Sequence, residues 1–292
     1  MRIGSGYNYL VTMYNSQRNQ KAYSDALTPL STGKKMNFLS DSPTHVSEYF
    51  KNQQELSQID TYLDNISTAR SQVNITDNIL EQMQGLLNEA YELSLQGNDQ
   101  TITSNDISNI ATRFSTIQTD FLRMANSKVN GKYIFSGYET STQPFSGSPV
   151  TYAGDTNTIS VQVSETTSVP VSVNASTTFM SSIDLFDTLG YILTAIQAQD
   201  EATLGTKITD LQNGMAQLVT SRAAMANSNK TLDNTEEYLG KFKIQLSERM
   251  SHIADVDIAE ASTELSFREY TLQASMALAR KIFEMQNSSF NM

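Results

Sequence analysis

From Ile59 onward apolar residues return every seventh position, as Ile59, Ile66, Val73, Leu80 and Leu87, and three residues beyond each lie Tyr62, Ala69, Thr76, Met83 and Ala90. That spacing predicts a long helix with one packed seam. Gly97 and Asn98 break the pattern, and Thr103 or Ser104 can cap a second helix. That helix is predicted from Ile107, Ile110, Phe114, Ile117, Phe121 and Met124, whose larger side chains suit packing beside the small ones of the first.

The carboxyl-terminal side repeats the pattern with half of it polar. Leu211, Leu218, Met225, Leu232, Leu239, Leu246 and Ile253 form a clean stripe, whereas the companion positions run Ile208, Met215, Arg222, Asn229, Glu236, Lys243 and Met250. A helix of this kind packs along one narrow edge and offers the rest to solvent or neighbours. The same periodicity also suits a helical bundle with no assembly role. Proline is absent between Pro43 and Pro144 and again after Pro170, so nothing forbids long helices on both sides of the middle.

Residues 136–182 differ: they hold no Lys or Arg, and Val161, Val163, Val169, Val171 and Val173 alternate with other residues. Short strands are predicted, with Gly147, Gly154, Asp155 and Asn157 as turn formers. The fold class expected is mainly α with an inserted β-rich domain. In it a long antiparallel helical rod, coiled coil or bundle, has both termini at one end and a small β head at the other. The divisions expected are terminal helical arms at 1–46 and 254–292, a rod at 47–135 and 184–253, and a head at 136–183.

The arms carry opposite charge. Residues 1–45 sum to +3 and residues 255–292 to −3. Each has apolar residues at helical spacing: Ile3, Tyr7, Leu10, Tyr14, Leu27 and Leu30 on one, and Leu265, Leu272, Met276, Ala279 and Phe283 on the other. The arms are expected to pair as an assembly interface, disordered in the monomer and ordered when neighbours supply the missing buried surface.

Composition and motif searches exclude several classes. A net charge of −11 and a pI near 4.6 argue against nucleic-acid binding. The absence of Cys removes disulfides and thiolate metal sites. No apolar run is long enough for a signal-peptide core or a membrane span, so a cytoplasmic chain or export without a cleavable signal is expected, with no membrane insertion. Glu248 and His252 stand four apart on a predicted helix, but two ligands do not make a metal site. Ser31-Thr-Gly-Lys34 fits S-x-x-K without the companion motifs of penicillin-recognising enzymes, and a helix stop at Gly33 explains it better. No enzyme, cofactor or metal is expected.

Three stretches carry a family resemblance. Leu30-Ser-Thr-Gly-Lys-Lys-Met-Asn37 with Asp41-Ser-Pro43, then Asn130-Gly-Lys-Tyr-Ile-Phe-Ser-Gly-Tyr-Glu-Thr-Ser-Thr-Gln-Pro-Phe145, and finally Asp255-Val-Asp-Ile-Ala-Glu-Ala-Ser-Thr-Glu-Leu265 with Leu272-Gln-Ala-Ser275 resemble the flagellin superfamily and its hook-associated protein 3 branch. The middle stretch is the most specific, and its signature positions are Gly131, Tyr133, Phe135, Gly137, Pro144 and Phe145. The ending Gln286–Met292 is more polar than the family's Leu-rich one.

The resemblance implies a structural adaptor between the flagellar hook and the flagellin filament, assembled as a ring through its terminal helices. Implied partners are the preceding hook-associated junction protein, flagellin, further copies of itself, the flagellar type III export apparatus and an export chaperone. The implied location is extracellular, on the bacterial flagellum. A filament-forming flagellin is one alternative, and a helical-rod binding protein or enzyme without a recognisable site is another.

Overall fold

The computed structural model describes residues 3–36, 43–99 and 101–288. The chain runs α1 (Ile3–Thr32), α2 (Pro43–Gly97), α3 (Ser104–Ala125), β1 (Lys128–Val129), β2 (Lys132–Tyr133), β3 (Phe145–Ser146), β4 (Thr151–Tyr152), β5 (Ser160–Gln162), β6 (Ser168–Pro170), α4 (Ala175–Phe179), α5 (Leu185–Ala198), α6 (Glu201–Ala254) and α7 (Ile258–Ser288). It is mainly helical, with small antiparallel sheets, and divides into two compact units. One comprises Ile59–Gly240, and the other comprises the residues before Ile59 and after Gly240. The first turns of α2 and the last turns of α6 therefore group with the terminal helices.

In the larger unit the α2 seam is dry. Ile59, Ile66, Val73, Leu80, Leu87, Ala69, Thr76, Met83 and Ala90 are all buried, and only Tyr62 of the two predicted series is half-exposed. Thr103 caps α3 in a capping box, accepting from the Asp106 amide while the Asp106 carboxylate accepts from the Thr103 amide at 3.2 Å. Phe114, Ile117 and Phe121 of α3 are buried; Ile107 and Met124 lie at the margin, and Ala125 is buried beside them.

Leu211, Leu218, Met225, Leu232 and Leu239 of α6 are buried as the stripe predicts. The polar companions are paired rather than left to solvent. Arg222 donates to Asp77 at 3.0 Å and to Gln84 at 2.9 Å, Asn229 donates to Asn74 at 3.0 Å, and Arg70 donates to Glu236 at 2.6 Å and Asp233 at 2.9 Å. Gln212 donates to the Tyr91 hydroxyl at 2.9 Å. Residue numbers rise on α2 as they fall on α6, so in this unit the two helices are antiparallel. The expected free polar edge is instead a ladder of side-chain bonds flanking the apolar stripe.

The β-rich region is three separate two-stranded ribbons rather than one sheet. The alternating valines form a ladder only where Val161 faces Val169; Val163, Val171 and Val173 are buried outside it. Ribbons this short do not stand alone. They are held by an aromatic cluster in which Phe145 stacks on Phe186 at 4.8 Å and Phe135 meets Phe179 edge-on at 5.3 Å, with Phe121 of α3 beside them. Helix α4 adds Phe179 from within the span read as strands.

In the smaller unit Gly33 ends α1 with φ +70° and donates its amide to Pro29 at 2.9 Å, the expected helix stop. Lys34 then forms an isolated antiparallel bridge with Asp255. The Lys35 amide donates to Ala254 at 2.7 Å and the Val256 amide to Gly33 at 3.1 Å. Asp257 caps α7 through the amides of Ala259 and Glu260.

Candidate functional site

Helices α1 and α7 pack along each other within the smaller unit. Thr12, Met13 and Ser16 share a groove of about 350 Å³ with Ala279, Ile282 and Phe283, while Ala26 and Pro29 share another with Ala259 and Ala261. Low numbers on α1 meet high numbers on α7, so the pair is antiparallel. The half-buried side chains of α7 alternate four and three apart, as Ala261, Leu265, Arg268, Leu272, Ser275, Ala279 and Ile282. Those of α1 are mostly small or polar, including Thr12, Ser16, Asn19, Ala22 and Ala26. Small side chains let two helices approach closely and leave the bulky ones elsewhere.

Of the residues expected at an assembly interface, Leu30, Leu265, Leu272 and Ala279 are half-buried. Tyr7, Leu10 and Tyr14 are 67%, 64% and 68% exposed, and Leu27, Met276 and Phe283 are exposed as well. The side chain of Ile3 lies outside the described residues. Tyr7, Leu10, Tyr14 and Leu27 of α1 are therefore turned outward, whereas Leu30 is partly covered. Periodicity alone could not tell a face turned to the sister helix from one turned outward, because both repeat at three and four. On α7 a further exposed stripe was not singled out by sequence: Phe267, Tyr270, Leu278 and Met285, which share a face at multiples of the helical repeat. Surface apolar residues are ordinary one at a time, but here they run along both terminal helices.

The connection is fastened by charge. Lys34 Nζ donates to Asp255 at 2.5 Å, and the Ser251 hydroxyl donates to the other carboxylate oxygen at 2.6 Å. The bond from Lys34, reinforced by Ser251, holds the Asp255 carboxyl below the usual carboxylate range, and the same bond raises Lys34. Ser31 donates to the Thr28 carbonyl at 2.9 Å, so the S-x-x-K residues are spent on a helix end and a clasp.

The signature residues are structural. Asn130 and Gly131, with φ 52° and 78°, turn the β1–β2 hairpin. Tyr133 is half-buried under Lys128, whose Nζ is 4.3 Å from the ring centroid. Phe135, Gly137, Pro144 and Phe145 are buried. Gly137 has φ +66° and lies against Asp155, whose carboxylate and backbone occupy the place of a Cβ. Tyr152 donates its hydroxyl toward the carbonyls of Asp155 at 2.6 Å and Phe135 at 3.1 Å, and burial with the nearby Asp155 charge pushes its pKa up to about 12.

His45 and His252 line one cavity of about 420 Å³ with Glu48, Glu248, Lys35 and Arg249. Among the described residues no group of three or more His, Cys, Asp or Glu is placed to hold a metal ion, and no helix is long and apolar enough to cross a membrane.

Comparison with known proteins agrees with this architecture. Residues 3–140 match the bacterial flagellin N-terminal helical region. Flagellar hook-associated protein 3 of Escherichia coli K12 is 24% identical over 300 residues, an alignment spanning 94% of this chain and 95% of that protein. The structure of a flagellar hook-associated protein from Vibrio parahaemolyticus superposes with a TM-score of 0.70 at 16% identity, covering 74% of this chain and 100% of that one. The flagellar junction protein FlgL from Legionella pneumophila superposes with a TM-score of 0.62 at 12% identity, covering 71% of this chain and 99% of that one.

Proposed function

We propose that this chain, a member of the flagellar hook-associated protein 3 family, is the structural adaptor that joins the flagellar hook to the flagellin filament. Its relatives are structural proteins of the flagellum rather than enzymes. The observation that carries the reading is the pair of terminal helices with large apolar side chains left uncovered, Tyr7, Leu10 and Tyr14 on α1 and Phe267, Tyr270 and Leu278 on α7. A subunit that keeps such a surface has it covered by neighbours. Copies of this chain form a ring through those helices, with the preceding hook-associated protein on one side and flagellin on the other; head-to-tail contacts of this kind suit a helical tube. The terminal divisions proposed for this role are 1–46 and 254–292, with 47–135 and 184–253 as the helical layer and 136–183 as the outward β-rich part.

The route proposed is export through the flagellar type III apparatus, escorted by a chaperone on the carboxyl-terminal helix. A chain without Cys, which needs no oxidative folding, suits that route. Deleting the gene tests the reading. Cells should carry hooks without filaments and release flagellin into the medium, and filaments attached as usual would exclude it. Growth of the purified chain into long filaments by itself would point to a filament flagellin instead.

A further inference from the structure

The heptad line of α2 starts before Ile59. One repeat earlier it holds Asn52 and two repeats earlier His45. Asn52 is 3% exposed, as buried as Ile59, and its Nδ2 has no hydrogen-bond partner. No other side chain of α2 before Ile59 is buried, and from Lys241 to Ala254 α6 buries only Leu246 and Ala254. One heptad before Asn52 the seam opens: His45 and Glu48 border a cavity of about 420 Å³ with Gln245, Glu248, Arg249 and His252. A lone polar residue at a seam position sets register at a cost in stability, and a buried amide whose bond goes unmade adds its desolvation to that cost.

We propose that Asn52 makes residues 43–58 the weakest-held stretch of α2, a segment that opens locally while the seam from Ile66 to Ala90 stays closed. The two stretches belong to one helix and continue one heptad repeat. What separates them is the core residue: Asn52 in one, and Ile66, Val73, Leu80 and Leu87 in the other. Opening free energy tracks buried apolar contact, and the early stretch has little of it. The inference concerns stability within the subunit and stands whether or not the adaptor reading does.

Hydrogen exchange of the full chain, wild type against Asn52→Leu, tests it. In the wild type the amides of 43–58 should exchange at least about tenfold faster than those of 66–90. Fraying near the start of α2 would give that difference without Asn52, so the variant decides. Asn52→Leu should slow exchange in 43–58 by about tenfold and leave 66–90 unchanged. Asn52→Val carries the same expectation in a smaller side chain should the leucine not fit. Equal protection of the two stretches in the wild type, or exchange in 43–58 no slower in either variant, would overturn the proposal.

Discussion

Lys34 and Asp255, separated by 221 positions in sequence, meet both as a backbone bridge and as an ion pair of 2.5 Å. The bridge ties the end of α1 to the start of α7. In the family resemblance Lys34 belongs to one motif and Asp255 to another, so the contact joins two segments that sequence presents as unrelated.

The ion pair sets a pH window for the smaller unit. Asp255 is depressed in the folded state, so its contribution is present above the ordinary carboxylate range and is lost as pH falls through the folded value. Lys34 is raised above its ordinary value, so its contribution lasts until pH climbs through the folded value. Both partners are well exposed, and the effect is therefore small and salt-sensitive. Asp255→Asn should lower the melting temperature of the smaller unit by about 2 °C at neutral pH. The difference should shrink as pH falls through the depressed folded value of Asp255, and in molar salt.

The polar ladder of the larger unit predicts a measurable coupling. Arg222 and Asp77 are about two-thirds buried or more, with side chains 27% and 32% exposed. Arg222→Ala should cost about 1–2 kcal/mol in denaturant unfolding, because it leaves Asp77 and Gln84 without their donor. A double-mutant cycle with Asp77→Ala should give a coupling of about 0.5–1 kcal/mol, whereas Lys132, outside the ladder, should show none with Asp77.

The two glycines of the signature should differ in what they tolerate. Gly131 has positive φ but open space around it, so Gly131→Ala should cost about 1 kcal/mol. Gly137 combines positive φ with the Asp155 side chain and backbone where a Cβ would stand, and Gly137→Ala should cost more than about 2 kcal/mol. Thermal unfolding of the two variants side by side checks the order.

Tyr152 gives the larger unit an alkaline limit. Its neutral form is favoured in the fold, with the value pushed from 10.0 to about 12. The contribution is whole below about pH 10 and declines as pH rises from 10 to 12, when the unfolded chain has already lost the proton. Tyr152→Phe should remove that alkaline step from the stability profile, while losing the bonds to Asp155 and Phe135 at every pH.

Much of this architecture was legible in the periodicity of Ile59–Ala90 and Leu211–Leu239, because a buried seam leaves no choice of face. The ladder was not read, although Arg70, Asp77, Gln84 and Tyr91 also recur every seven residues. Its partners are complementary only once the two helices run antiparallel, and that relation is invisible along one chain. The valine alternation led to strands over a longer span than the ladder occupies, since Val163, Val171 and Val173 are buried beyond the paired residues instead of extending them. On α1 the spacing of Tyr7, Leu10, Tyr14 and Leu27 belongs to an outward face, while the small residues Ser16, Ala22 and Ala26, with Leu30, are the partly covered ones.

A position where hook meets filament can be seen by electron microscopy of flagella carrying a tag inserted in the exposed turn between Asn130 and Gly131. A single labelled band at the hook–filament boundary is expected, lost when Tyr7 and Tyr14 are both changed to Asp while the larger unit still melts as before. Label spread along the filament, or absent from the flagellum, would rule that position out.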